Sequence, residues 1–423
     1  MTRAMKDSGV EWIGEIPENW EITRTKNYYT NHKYVVGDKA ADYERLALTM
    51  NGVIKRSKED SNGLQPEEFS GYQILDKDEL VFKLIDLENV STSRVGLSPF
   101  KGIVSPAYII LHKIKNTNPK YGEYFFLSMW QREIFNHMGD DGVRSSLNSK
   151  DLLNIPYPFP PLIEQQKIAD FLEKKCAAID TVLTKTKESI EEYKKLRNAI
   201  ITKAVTKGIR PNRKMKNSGI EWIGEIPEEW EDINPKALFS QRKEKAKPGE
   251  KQLTSSQQYG IIYQNEYMKL TGSKIVTVEK DFDILKHVEK GDFVISMRSF
   301  QGGLEYSTNT GSISSAYVML IPNLKLVFPR FFRWLLKSTV YIDALQSSSN
   351  MVRDGQAMRY SNFSQIRLLK VPLSEQEEIA DYLDKKCSEI DTLITKKEQL
   401  ITELETYKKS LIYEYVTGKK EVQ

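Results

Sequence analysis

Long apolar runs are missing from this chain. Nowhere do about 18 hydrophobic residues follow one another, so the sequence offers no membrane-spanning helix. Cysteine is scarce, with 2 in 423 residues. A disulfide framework is thereby excluded, and neither Cys176 nor Cys387 lies in a Cys/His cluster with zinc spacing. Both read as small buried hydrophobes. The histidines, His32, His112, His137 and His287, are scattered without metal spacing. No phosphate-cradling Gly-x-x-x-x-Gly-Lys loop, dinucleotide glycine fingerprint or Gly-x-Ser-x-Gly elbow is present. These absences leave no expected catalytic, cofactor-binding or metal residue. The first residues, MTRAMKDSGVEW, lack an apolar signal core, so the expected location is cytoplasmic.

Charge is plentiful and nearly balanced: 62 basic against 58 acidic side chains, a net of +4. That balance permits nucleic-acid binding through local patches without demanding it.

What the chain has is repetition. The stretch from Pro161 to about Gly208 is spelled again from Pro372 to about Gly418. Pro161 aligns with Pro372, Cys176 with Cys387, Asp180 with Asp391 and Val205 with Val416, a constant offset of 211. A shorter motif, SGVEWIGEIPENWE at 8–21, recurs as SGIEWIGEIPEEWE at 218–231. A period near 210 means two halves of one design. The unchanged spacing of Trp12 and Trp20, and of Trp222 and Trp230, favours an apolar clamp docking on a helix over base stacking.

Between these repeats lie divergent modules. Short runs rich in Val, Ile, Phe and Tyr, such as Glu79–Leu84 and Gly102–Leu111, are broken by glycines and read as strands. Tyr121 to Phe135 has helical length and should cover the sheet. The second module repeats this order: Gly260 with Gly52, Asp292–Ser296 with Glu79–Lys83, and Ser314–Tyr317 with Ser105–Tyr108. The expected fold class is α+β, with two β-rich α/β modules joined by two long helices in an antiparallel coiled coil with a pseudo-two-fold repeat. Its segments are 1–20 (docking), 21–160 (module one), 161–208 (helix one), 209–230 (linker and second docking segment), 231–371 (module two), and 372–423 (helix two and tail).

The helices carry apolar residues at three- and four-residue steps. Leu172, Cys176, Ile179, Leu183, Ile190 and Tyr193 mark the first; Leu383, Cys387, Ile390, Ile394, Ile401 and Leu404 mark the second. Thr186 and Lys397 are polar interruptions that could set register. Each rod of about 44 residues would run roughly 65 Å, with its stripe buried against its twin. Partners would then meet the outer charged surface or the junctions with the modules.

Two modules on a rigid spacer suit a ligand in which distance matters, and double-stranded DNA is such a ligand. Candidate contacts are Lys55, Arg56, Lys58, Arg94, Arg144, Ser146 and Asn148 in module one. Module two offers Gln257, Gln258, Tyr259, Arg298, Gln301, Arg353, Gln356 and Arg359. Arg pairs with guanine edges, Asn and Gln with adenine, and Lys with phosphate. Gln241–Lys251 is a charge run, either phosphate-facing or merely solvated. Asn154-Ile155-Pro156-Tyr157 is close to the Asn-Pro-Pro-Tyr signature of adenine amino-methyltransferases. No glycine-rich S-adenosylmethionine motif precedes it, so its prolines read as a ramp into the helix.

The SGVEWIGEIPENW motif, the module ending in a proline ramp and the PLIEQQKIADFLEKKCAAID helix, each present twice, resemble the specificity subunits of type I restriction–modification systems. The likeness runs over about residues 8 to 420. It implies two target-recognition domains, each reading half of a bipartite asymmetric DNA site. It also implies an antiparallel coiled coil that sets the gap and docks two modification (methyltransferase) subunits. The chain itself would be non-catalytic, directing adenine-N6 methylation and restriction. S-adenosylmethionine, ATP and Mg would be bound by the modification and restriction/translocase partners. The alternative from another class is a coiled-coil scaffold that does not bind DNA; a third is a self-contained methyltransferase.

Overall fold

The computed structural model describes residues 3–60, 68–85, 87, 93–138, 146–278, 282–348 and 359–422. The chain forms two units: 1–187 with 398–423, and 188–397. Each unit holds one module together with a portion of both long helices, Leu162–Lys207 and Leu373–Val416.

In the first unit a four-stranded antiparallel sheet runs Tyr29–Thr30, Ile109–Lys113, Leu80–Phe82, Val95–Leu97. Successive strand side chains point to opposite faces, and both faces are buried. Leu80, Phe82 and Leu111 meet Tyr121, Phe125 and Phe126 of the helix Pro119–Gln131, with Ile168, Leu172 and Cys176 of the long helix. Val81 and Ile110 meet Leu46, Leu48, Val53, Leu75 and Val104 on the other face. The covering helix starts where Asn118 accepts from the Lys120 and Tyr121 amides and Pro119 needs no partner.

The second unit repeats this plan. Its sheet runs Phe239–Arg242, Val318–Pro322, Phe293–Ile295, Glu305–Tyr306. Leu253, Ile261, Val288, Val294, Ile313 and Met319 form the core on the face turned from the helices. Among the described residues, Pro119–Gln131 covers the first unit's sheet, and Pro329–Leu335 and Thr339–Ser348 cover the second's.

The expected proline ramp is a strand instead. Pro156–Phe159 pairs antiparallel with Glu21–Arg24, and Leu368–Lys370 pairs with Glu231–Ile233. A two-stranded ribbon tolerates Pro156 and Pro158 because a proline at an edge need donate no ladder bond. Tyr157 is wholly buried among Tyr29, Tyr121 and Phe125.

The tryptophan motifs do clamp helices. Strands Met5–Asp7 and Glu15–Pro17 pair, and the indole N–H of Trp20 donates to Glu164 Oε2 at 3.0 Å. Trp230 donates to Glu375 Oε2 at 3.0 Å in the second unit. Arg3 and Arg213 ion-pair with the same two carboxylates. The long helices end at Gly208 and Gly418, whose φ values of +73° and +71° favour glycine.

Within the first unit the two long helices run antiparallel side by side: Lys408 pairs with Asp180, Lys187 with Glu405, and the Phe171 ring lies 4.5 Å from that of Tyr415. In the second unit Arg197 pairs with Asp391 and the Lys397 ammonium lies over the Tyr193 ring at 5.6 Å. Of the stripe residues, Leu172, Cys176, Ile179, Leu183, Ile190, Leu383, Cys387 and Ile390 are buried, and Tyr193, Ile394, Ile401 and Leu404 are half-buried. Thr186 is buried, its hydroxyl donating to the Val182 carbonyl at 2.8 Å. Among the described residues no helix is long and apolar enough to cross a membrane, and no cluster of His, Cys, Asp and Glu could hold a metal.

Candidate nucleic-acid interface

In the second unit, candidates far apart in sequence converge. Strands Leu253–Ser256 and Gly260–Tyr263 form a hairpin whose turn is Gln257-Gln258-Tyr259, all exposed. The Ser256 hydroxyl accepts from the Gln258 and Tyr259 amides, at 3.3 and 3.2 Å. Gln257 lies against Gly302, where a Cβ would come within 2.7 Å of its amide nitrogen. Gly302 ends a short helix, Ser299–Gly302, with exposed Arg298 just before it and exposed Gln301 on it. The hairpin tip and this helix are therefore one surface.

That surface is held from below. Asn309 donates to the Ile261 carbonyl at 2.9 Å, and Gln346 to the Phe300 carbonyl at 2.7 Å. Tyr259 meets Tyr267 edge-on with ring centroids 6.2 Å apart. Among the described residues, no hydrogen bond or ion pair engages the side chains of Gln257, Gln258, Arg298 or Gln301. A positioned, uncommitted amide or guanidinium suits a base edge, since its donors and acceptors are not already spent.

The first unit distributes its candidates differently. Lys55 is exposed, its ammonium 5.5 Å from the Phe100 ring. Arg56 is held by Asp60 at 2.7 Å, and Lys58 donates to the Ala40 carbonyl at 2.7 Å, so both brace their own loop. Arg94 is a correction: it is wholly buried and presents nothing to a ligand. Ser146 is exposed. Asn148 caps the helix Ser149–Asn154, its side-chain oxygen accepting from the Lys150 and Asp151 amides, so the acceptor an adenine contact requires is occupied. Arg144, Arg353 and Gln356 lie outside the described residues. Arg359 is exposed and precedes the short helix Tyr360–Phe363. In the charge run, Arg242 is locked on Asp292 by bonds of 2.7 and 3.0 Å, while Lys243 and Lys247 are exposed.

The outer helix surface is not purely charged, contrary to expectation. Val182, Leu400 and Tyr407 in the first unit, and Leu196 and Leu393 in the second, are 41–52% exposed. Their seven-residue steps (393, 400, 407) are a sequence signal that the buried stripe obscured, because both share the heptad period.

Residues 13–192 and 227–405 each match the type I restriction modification DNA specificity domain. A chain of Methanocaldococcus jannaschii assigned as the type I restriction enzyme MjaX specificity subunit is 25% identical over 412 residues, covering 92% of this chain and 90% of that one. The type I restriction enzyme MjaVIII specificity subunit of the same organism is 27% identical over 227 residues, 53% of this chain and 50% of that one. A solved chain from work on complex assembly and conformational transition of the type I R-M system superposes with a TM-score of 0.69 at 13% identity, over 96% of this chain and 99% of that one. The HsdS subunit from Thermoanaerobacter tengcongensis gives 0.52 at 13% identity, over 96% and 98%. With both halves matched, the chain belongs to the type I restriction modification DNA specificity family.

Proposed function

We propose that this chain is the non-catalytic, cytoplasmic specificity subunit of a type I restriction–modification complex. Each module reads one half of a bipartite, asymmetric site in double-stranded DNA. The long helices act as a coiled coil that sets the gap between half-sites and docks two methyltransferase subunits, directing adenine-N6 methylation and restriction. S-adenosylmethionine, ATP and Mg belong to those partners.

The observation that carries this reading is the duplication itself: the family match falls twice, and each unit presents one hairpin on the sheet face turned from its helices. The heptad-spaced apolar positions on the outer helix surface support partner docking, since exposed Leu and Tyr at one helical period offer area to another helix. The test is to express the chain with its methyltransferase partner and sequence the methylated adenines. One bipartite asymmetric motif is expected. Its absence, together with duplex affinity that is insensitive to salt, would favour a protein scaffold, because phosphate binding weakens steeply with salt.

A further inference from the structure

The two hairpins are built alike, and this identifies readers in the first unit that its charge pattern hides. Thr49 ends the strand Leu46–Thr49, and its hydroxyl accepts from the Asn51 amide at 3.1 Å. Ser256 does the same for the turn in the second unit. Gly52 (φ +85°) and Gly260 (φ +68°) open the return strands. Beneath each hairpin lie equivalent core residues, Leu46 and Val53 in one, Leu253 and Ile261 in the other. The first hairpin is pressed onto its sheet: a Cβ on Gly96 would stand 2.6 Å from Leu48 Cδ1.

The counterpart of the Gln257–Tyr259 turn is therefore Met50-Asn51. Met50 is 58% exposed, and Asn51 is exposed. Lys55, by contrast, pairs with Leu46 at the far end of the hairpin, about 10 Å away at the rise of a strand. The tip thus carries an amide beside a thioether, and the far end carries the cation.

We propose that Met50-Asn51 and Gln257-Gln258-Tyr259 are the specificity-determining tips, one for each half-site. Asn51 and Gln258 read adenine through paired donor and acceptor contacts in the major groove. Met50 and Tyr259 supply apolar contact to neighbouring bases, and Lys55 meets phosphate. The inference rests on the DNA-reading function proposed above.

The experiment uses the full chain assembled with its unaltered methyltransferase partner, and reads the methylated-adenine motif by sequencing. Asn51→Ala is expected to reduce discrimination at one base of one half-site by about tenfold or more, the scale of one bidentate contact. Gln258→Ala should do so at one base of the other half-site, and the gap length should not move. Asn51→Asp keeps the shape but removes the amide donors, and should shift that base from adenine toward cytosine, whose amino group a carboxylate accepts. Melting temperatures matching the parent chain would establish that these exposed variants fold. A parent complex with no bipartite motif would sink the DNA-reading function. A parent motif left unchanged by all three variants would overturn the tip assignment alone.

Discussion

The indole N–H of Trp20 donates to the Glu164 carboxylate at 3.0 Å, joining residues 144 positions apart. Trp20 is wholly buried, and Gly418 at the end of the other long helix sits against it, with a hypothetical Cβ 3.0 Å from the ring. One side chain therefore meets the start of one helix and the end of the other. Trp230 occupies the same position between Glu375 and Gly208 in the second unit. Trp20→Ala should cost about 3–5 kcal/mol, the range for removing a buried large aromatic. Chemical denaturation of the full chain measures it, and loss below 1 kcal/mol would deny Trp20 this role.

The two carboxylates under the clamps differ in burial. Arg213 and Glu375 are 9% and 2% exposed, while Arg3 and Glu164 are 19% and 22%. Removing one member of a buried pair strands the other charge. Glu375→Ala should therefore cost about 3–5 kcal/mol, and Glu164→Ala about 1–3 kcal/mol, nearer the value for an unmet hydrogen bond. Equal losses in denaturant titration would contradict this ranking.

Glycine at 418 is required twice over. Its φ is +71°, and a Cβ would stand 2.4 Å from Pro17 Cδ. Gly9 has φ +69° with open space around it. Gly9→Ala should show backbone strain alone, about 1 kcal/mol, whereas Gly418→Ala adds a steric clash with rigid ring atoms. The melting temperature should fall clearly further for the second variant. A matching fall would mean that packing at the helix end contributes nothing.

Burial pushes the Cys176 thiol up to about 11 and raises that of Cys387 as well. At pH 8 both are thiols rather than thiolates, and thiolate is the reactive form. A disulfide-exchange reagent should label neither in the native chain within minutes and both in denaturant. Rapid native labelling would show that the stripe opens.

His112 sits between two acceptors, with Nδ1 2.5 Å from Glu79 and Nε2 2.9 Å from the His32 carbonyl. The Glu79 hydrogen bond raises its pKa above 6.5 despite opposing desolvation. A raised folded pKa stabilises below the unfolded value, and that contribution is lost as pH rises through the folded one. The parent should therefore lose part of its margin over His112→Gln as pH climbs from about 6. A margin independent of pH would exclude the linkage.

Repeat architecture, the tryptophan clamp and most of the buried stripe were legible in residue order, because each rests on local periodicity or on a motif spelled twice. Thr186 could be placed on the stripe, and Trp20 against a helix, from spacing alone. The reading surface was another matter. Arg56, Lys58, Arg94 and Asn148 have the side chains of DNA contacts, yet partners or burial acquired on folding occupy them. Met50 and Asn51 carry no charge to notice, and they become a tip only because Thr49 and Gly52 turn the chain above the sheet core. Spacing decides which residues can share a face; whether a donor is still free depends on what folding brings beside it, and that is settled by tertiary contacts.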